Sequence, residues 1–201
     1  GLDRIDDMMP TAWEEADGTG VAMGLQTVAG AGGSSDVEWS VAMGLPEGMN
    51  AYLSWSPRPD GSKNVNKAVS GTNTAVDSYG WDIVVTHNKL YDGLNIFAGY
   101  SEIQQNTGIG NRKAEAYGAT YAIGGVTVGY QWSKDNHPGV SASTAKYYEN
   151  NAYGISFSVN DDLSISYAVH ESDQVADGGT VSLEGSSLQA SYSVGGASIK
   201  F

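Results

Sequence analysis

The sequence has no cysteine, no long apolar run and few basic residues, and each absence removes a class of function. Without Cys there is neither a disulfide framework nor a thiolate metal site. No stretch approaches the roughly 18 uninterrupted apolar residues that a transmembrane helix needs. Ten Lys and Arg against 23 Asp and Glu leave a formal net charge of -13, the wrong sign for holding nucleic-acid phosphates. The three histidines, His87, His137 and His170, lie in different segments without zinc-ligand spacing. Gly108-Ile-Gly110 is not followed by a P-loop lysine, and no local Ser/His pair marks a hydrolase, so no enzyme is expected. What the 201 residues do contain is 27 Gly, 12 Tyr and 5 Trp against 3 Phe, at a slightly polar mean hydropathy. Any apolar surface must therefore be finely interleaved with polar residues.

That interleaving has a period of two. Alternating segments run over 37–45, 50–56, 79–86, 94–101, 114–123, 126–133, 153–159, 163–170, 188–194 and 197–201, which predicts ten strands. Their connections alternate in length. Pro46-Glu-Gly48, Asn88 to Gly93, Gly124-Gly125, Asn160-Asp-Asp162 and Gly195-Gly196 are turn-forming links. Between them lie polar stretches of roughly 57–78, 102–113, 134–149 and 171–185, predicted as long loops. Strand, short turn, strand, long loop is the rhythm of an antiparallel meander whose two ends meet different surroundings. Related hairpins begin at Tyr79, Tyr117 and Tyr153 and recur near Gln189, a repeat of about 36 to 38 residues. A propeller blade would need four strands per repeat, and only two are readable.

The two faces of these segments differ in kind. One parity is large and apolar, as in Trp39, Val41 and Met43, or Val126, Val128, Tyr130 and Trp132, or Leu163, Ile165, Tyr167 and Val169. The other is small or neutral-polar: Ser40, Ala42 and Gly44; Thr127, Gly129 and Gln131; Ser164, Ser166 and Ala168. The solvated face of a soluble sheet should be rich in Lys, Glu, Arg and Thr. Gly, Ala and Ser instead suit the crowded, hydrated inner wall of a barrel. Aromatics on the apolar row gather toward strand ends, at Trp55, Tyr79, Trp81, Tyr100, Tyr117, Trp132 and Tyr153, where interfacial girdles belong. The fold expected is all-β, a transmembrane antiparallel up-and-down β-barrel with about ten strands in this chain. Pore-lining candidates on the small-residue parity are Glu38, Asn50, Asp82, Gln131, His170, Gln189 and Lys200.

Residues 1–36 break the pattern, running from an acidic stretch (Asp3 to Asp17) through a Gly-rich one to Asp36. The acidic loop, then Val37-Glu-Trp-Ser and the hairpin to Ser56, with the strand rhythm beyond, resembles the Gram-negative general diffusion porins, particularly the alphaproteobacterial type. That resemblance implies an outer-membrane channel for passive diffusion of ions and small hydrophilic solutes, a homotrimer in contact with lipid and lipopolysaccharide, with no nucleic-acid partner. It divides the chain into a constriction loop, 1–36, and a barrel portion, 37–201. It further implies that Asp3, Asp6, Asp7, Glu14, Glu15 and Asp17 line the pore constriction. Asp6, Asp7, Glu14 and Glu15 offer the oxygen ligands that Ca²⁺ prefers, the one cofactor considered, although their spacing matches no EF-hand loop. A solvated acidic loop or the first turn of a short helix is the plainer reading of the same residues. Porins of this type have about 16 strands, and Phe201 falls on an ascending rather than a descending strand, so the chain is expected to be a fragment lacking about five strands before Gly1 and about one and a half after Phe201. Two other functions fit the pattern: a substrate-specific outer-membrane channel, and a soluble secreted β-rich carbohydrate-binding protein using its Trp and Tyr for stacking.

Overall fold

The structure, a computed structural model, describes residues 37–41, 44–56, 80–103, 111–136, 146–194 and 197–200. Ten strands follow one another as β1 (Val37–Val41), β2 (Met49–Ser56), β3 (Gly80–His87), β4 (Leu94–Ile103), β5 (Arg112–Ile123), β6 (Val126–Asn136), β7 (Tyr147–Ser158), β8 (Leu163–Ala176), β9 (Gly179–Val194) and β10 (Ala197–Lys200). They form a single 10-stranded sheet in chain order, each strand antiparallel to the next, as the meander predicts. β1 and β10 are its outer strands, so the described sheet is open rather than closed on itself.

Short turns join alternate strand pairs at one end, and their backbones are stitched together. Asn88 N donates to Gly48 O (3.0 Å), Ala122 N to Gly93 O (2.8 Å), Ser158 N to Gly125 O (2.8 Å) and Ser193 N to Asp162 O (2.8 Å). The ladder thus continues past the strands into the turns, leaving few unmet backbone groups there. Gly93 has φ +77°, and a Cβ at that position would run into the Ala122 carbonyl, so the turn needs glycine twice over. In the β7–β8 turn Asn160 Oδ1 accepts from Asp162 N (2.9 Å) and Leu163 N (2.8 Å), a side chain standing in for a backbone acceptor.

At the opposite end the strands outrun the sequence reading. β7 begins at Tyr147 rather than 153, β6 continues to Asn136, and the stretch 171–185, expected as a long loop, is strand on both sides of the two-residue link Asp177-Gly178. Pairing there runs from Glu171↔Glu184 to Ala176↔Gly179, and Lys146 forms an ion pair with Asp177 beside the turn. The reason is that above this level the outward face becomes largely polar, and on β9 the apolar residues Val181 and Leu183 change to the opposite parity, so the alternation of the band loses its phase while the hydrogen-bonded ladder persists. Between 102 and 113 the strands likewise reach Ile103 and resume at Arg112. The expected loop 57–78 and the segment 1–36 lie outside the described residues.

Candidate functional site

Burial in this sheet is inverted relative to a water-soluble protein. The large apolar side chains are exposed, including Tyr117 (51%), Val128 (44%), Phe157 (46%) and Leu188 (72%), whereas Gln131, Ser133 and Asp135 are at most 1% exposed. Cross-strand register puts Ser54, Asp82 and Ser101 in one row of the buried face, and Gln131, Ala152 and His170 in another. Each strand from β2 to β9 presents four consecutive outward positions to the apolar face, the fourth on β7 being Val159 just past the strand's end: 49, 51, 53 and 55 on β2; 126, 128, 130 and 132 on β6; 188, 190, 192 and 194 on β9. Apolar or aromatic residues fill them throughout, except for His87 at the turn end of β3. Four positions over eight strands cover about 1,000 Å² at ordinary strand dimensions, about two to three times the largest apolar patch a soluble monomer leaves bare.

The limits of this band carry geometric information. The row of paired residues that starts at Trp55 on β2 reaches β9 at Thr180, yet the uppermost band residue on β9 is Leu188, eight residues nearer the turns. The lower limit slips equally, since the row from Met49 arrives at Ser186 while the band ends at Val194. Eight residues at about 3.3 Å each, against seven strand spacings of about 4.8 Å, define a slope of about 38°. An apolar layer cutting strands at that tilt is the geometry of a membrane barrel, whose strands lean by roughly 35–45°. Projected on the layer normal, the band is about 21 Å deep, close to the roughly 25 Å of outer-membrane barrels. From β2 to β7 its upper border is aromatic, and rings pack together there: Trp81 lies against Tyr100 (5.4 Å between centroids), Tyr117 stacks on Trp132 (5.0 Å) and Tyr153 meets Tyr130 just below the border (5.3 Å).

The buried face changes character across the sheet. On β2–β5 it holds an apolar cluster, with Val84, Phe97, Ala114 and Ala116 packed together and Tyr52 against them, beside the polar row Ser54, Asp82 and Ser101. Large and small residues alternate along its rows: Gly118 sits between Phe97 and Gln131, and a Cβ on Gly118 would strike the Phe97 ring and the Tyr130 carbonyl. On β6–β9 the same face is polar. Asn150 Nδ2 donates to Ser133 Oγ (3.1 Å), Ser166 Oγ to Gln189 Oε1 (3.2 Å), and Gln174 Nε2 to the Tyr148 hydroxyl (2.8 Å). Neither amide atom of Gln131 has a hydrogen-bond partner among the described residues, although both are buried.

Solved structures share this arrangement. The chain superposes on Salmonella typhi OmpF, solved in complex with daunomycin, with a TM-score of 0.60 and 14% identity, over 83% of this chain and 53% of that one. A porin structure refined at 1.8 Å matches with a TM-score of 0.54 and 18% identity, over 81% of this chain and 53% of that one. The fold is that of the porins. The chain spans about half the length of these porin structures. No protein-family profile and no characterised protein sequence matches it.

Within the porin fold, the expected wall residues Asp82, Gln131, His170 and Gln189 all lie on the buried face, and Asn50 lies on it half-buried. Glu38 and Lys200 belong to β1 and β10 at the matching parity, but their side chains lie outside the described residues. So do Asp3, Asp6, Asp7, Glu14, Glu15 and Asp17, and with them the calcium reading. Among the described residues no group of three or more His, Asp or Glu is placed to hold a metal. Asp135 escaped the sequence reading because it fell in the expected loop 134–149, and Asn150 because it preceded the expected start of its strand at 153. The signal was present nonetheless, since Gln131, Ser133 and Asp135 continue the parity of Thr127 and Gly129 without a break.

Proposed function

We propose that this chain is part of an outer-membrane porin, a water-filled channel through which ions and small hydrophilic solutes diffuse passively. The observation that carries the proposal is the apolar band: continuous over eight strands, exposed, and inclined by about 38° to the strand rows. A soluble carbohydrate-binding sheet has no use for such a band, whereas lipid requires it. In this reading the polar parity is the channel wall, the acidic segment 1–36 narrows the channel, and its carboxylates favour cations. The dry, apolar stretch of wall at Val84, Phe97, Ala114 and Ala116 supports an inward-folded element, since a wall patch facing only water would gain nothing from being apolar. The whole protein closes its barrel with about 16 strands, assembles as a trimer, contacts lipopolysaccharide and carries out no catalysis.

Reconstitution of the intact protein into planar lipid bilayers tests this. Ohmic single-channel conductance that rises with salt without saturating is the expected result. Failure to conduct after verified insertion would reject the channel, and a conductance blocked saturably by one solute would replace it with a substrate-specific one.

A further inference from the structure

The turn between β3 and β4 carries large apolar side chains beyond the limit of the band. On β3 the band ends at His87 and on β4 it starts at Leu94, and Asn88-Lys-Leu-Tyr-Asp-Gly93 joins them. Leu90 and Tyr91 are 64% and 63% exposed, more open than Val128 within the band at 44%. The β5–β6 and β7–β8 turns, Gly124-Gly125 and Asn160-Asp-Asp162, have only glycine and polar residues at this level. A turn surrounded by water gains nothing from leucine and tyrosine side by side.

The contacts of this turn show which face it extends. On one side Lys89 is ion-paired with Glu47 of the β1–β2 turn, which engages the turn's one ammonium. On the other the Tyr91 ring packs against Tyr121, 6.1 Å between centroids. Tyr121 is an outward residue of β5, paired with Leu94 and followed on the same face by Ile123, itself 64% exposed. Tyr91 therefore continues the apolar face and not the channel wall, and joins Leu94, Tyr121 and Ile123 in one patch at the lower border. His87 fits the same border. Its Nδ1 accepts from Lys89 N (3.2 Å), so the neutral ring carries its proton on Nε2. The one polar side chain of the band thus keeps a donor at the band's lower edge, where the ester and phosphate oxygens of a phospholipid begin.

We propose that the β3–β4 turn is a membrane anchor, with Leu90 and Tyr91 seated among the glycerophospholipids of the periplasmic leaflet. Short turns mark that side of a barrel, tyrosine suits the headgroup layer, and the patch is continuous with the lipid-facing band. The proposal rests on the membrane reading given above. These 201 residues contain no cysteine, so Leu90→Cys, Asp161→Cys and Val128→Cys each give the intact protein one nitroxide site in this stretch. With the protein folded into phosphatidylcholine vesicles, the ratio of oxygen accessibility to that of a water-soluble nickel chelate measures depth. The ratio at Leu90 should lie above that at Asp161 and below that at Val128. In urea titration Leu90→Ala should lower the folded-to-unfolded ratio about fivefold to tenfold, as for a leucine half transferred from water, whereas Asp161→Ala should stay within about twofold. Equal accessibility ratios at Leu90 and Asp161, or a Leu90→Ala effect within about twofold, overturn the proposal. So does spectral broadening between labels at Leu90 that disappears on dilution with unlabelled protein, which would give the turn to a second copy of this chain. A label at Val128 as open to nickel as one at Asp161 would remove the membrane reading itself.

Discussion

Replacing Val128 by Arg separates a lipid-facing band from a solvated one by magnitude alone. Val128 lies on β6 as the second of four outward positions, is 44% exposed, and is paired with Tyr121 on one side and Ile155 on the other. Facing water, a half-exposed valine changed to arginine should alter stability by no more than about 0.5 kcal/mol, because the guanidinium remains hydrated and little packing is lost. Facing hydrocarbon near the middle of a band about 21 Å deep, the same change should cost about 2 to 4 kcal/mol. Depth supplies the control. Ser182, outward on β9 and six residues above Leu188, lies well clear of the band, so Ser182→Arg should cost about 0 to 1 kcal/mol in the same lipid. Ile155→Arg, directly across from Val128, should reproduce the large effect. Reversible refolding into lipid vesicles with denaturant titration gives these differences. A V128R cost no larger than that of S182R would refute the band, and with it the assignment of faces.

Other outcomes follow from single residues. Gly118→Ala should destabilise by about 1 to 3 kcal/mol, because its Cβ displaces the buried Phe97 ring, and Phe97→Leu in the same chain should recover part of the loss in a double-mutant cycle. Gln131→Met, similar in volume, should be neutral or stabilising by about 1 to 3 kcal/mol in denaturant titration, since it removes two buried polar atoms that lack partners; a clear loss of stability would mean that the amide is bonded in the assembled channel. Changing Asp6, Asp7, Glu14 and Glu15 to amides should lower the cation preference measured as reversal potential in a salt gradient. An unchanged potential would return the segment to the plain reading of a solvated loop. Gly93→Ala should cost at least about 1 kcal/mol, from its φ of +77° and the clash with Ala122, whereas Gly178→Ala, which meets nothing within 4 Å, should cost little beyond ordinary turn preference.

The sequence by itself determined the strands, their antiparallel order and the assignment of faces. Alternation in steps of two is a local property, and wherever one side chain enters an apolar layer and the next does not, it is written into adjacent residues; Val126 to Trp132 and Leu163 to Val169 needed no tertiary information. The short turns were equally legible, because glycine at positive φ and asparagine as a backbone acceptor are local solutions to a local constraint. Strand length was not. Beyond Trp132 and Val169 the outward residues become Lys134, Glu171 and Asp173 while the inward ones remain polar, and a ladder held by backbone hydrogen bonds leaves no hydrophobic trace. Register also belongs to the tertiary structure. Each strand shows where its own apolar stretch begins and ends, but only pairing Trp55 through to Thr180 shows those limits slipping by eight residues across seven strands, and therefore a tilted band. The gathering of an apolar cluster at Val84 and Phe97, and of a polar one at Gln131, Ser133 and Asn150, on the buried face was likewise decided by which strands became neighbours. Pairing joins residues tens of positions apart, and no local pattern encodes which of them will share a row.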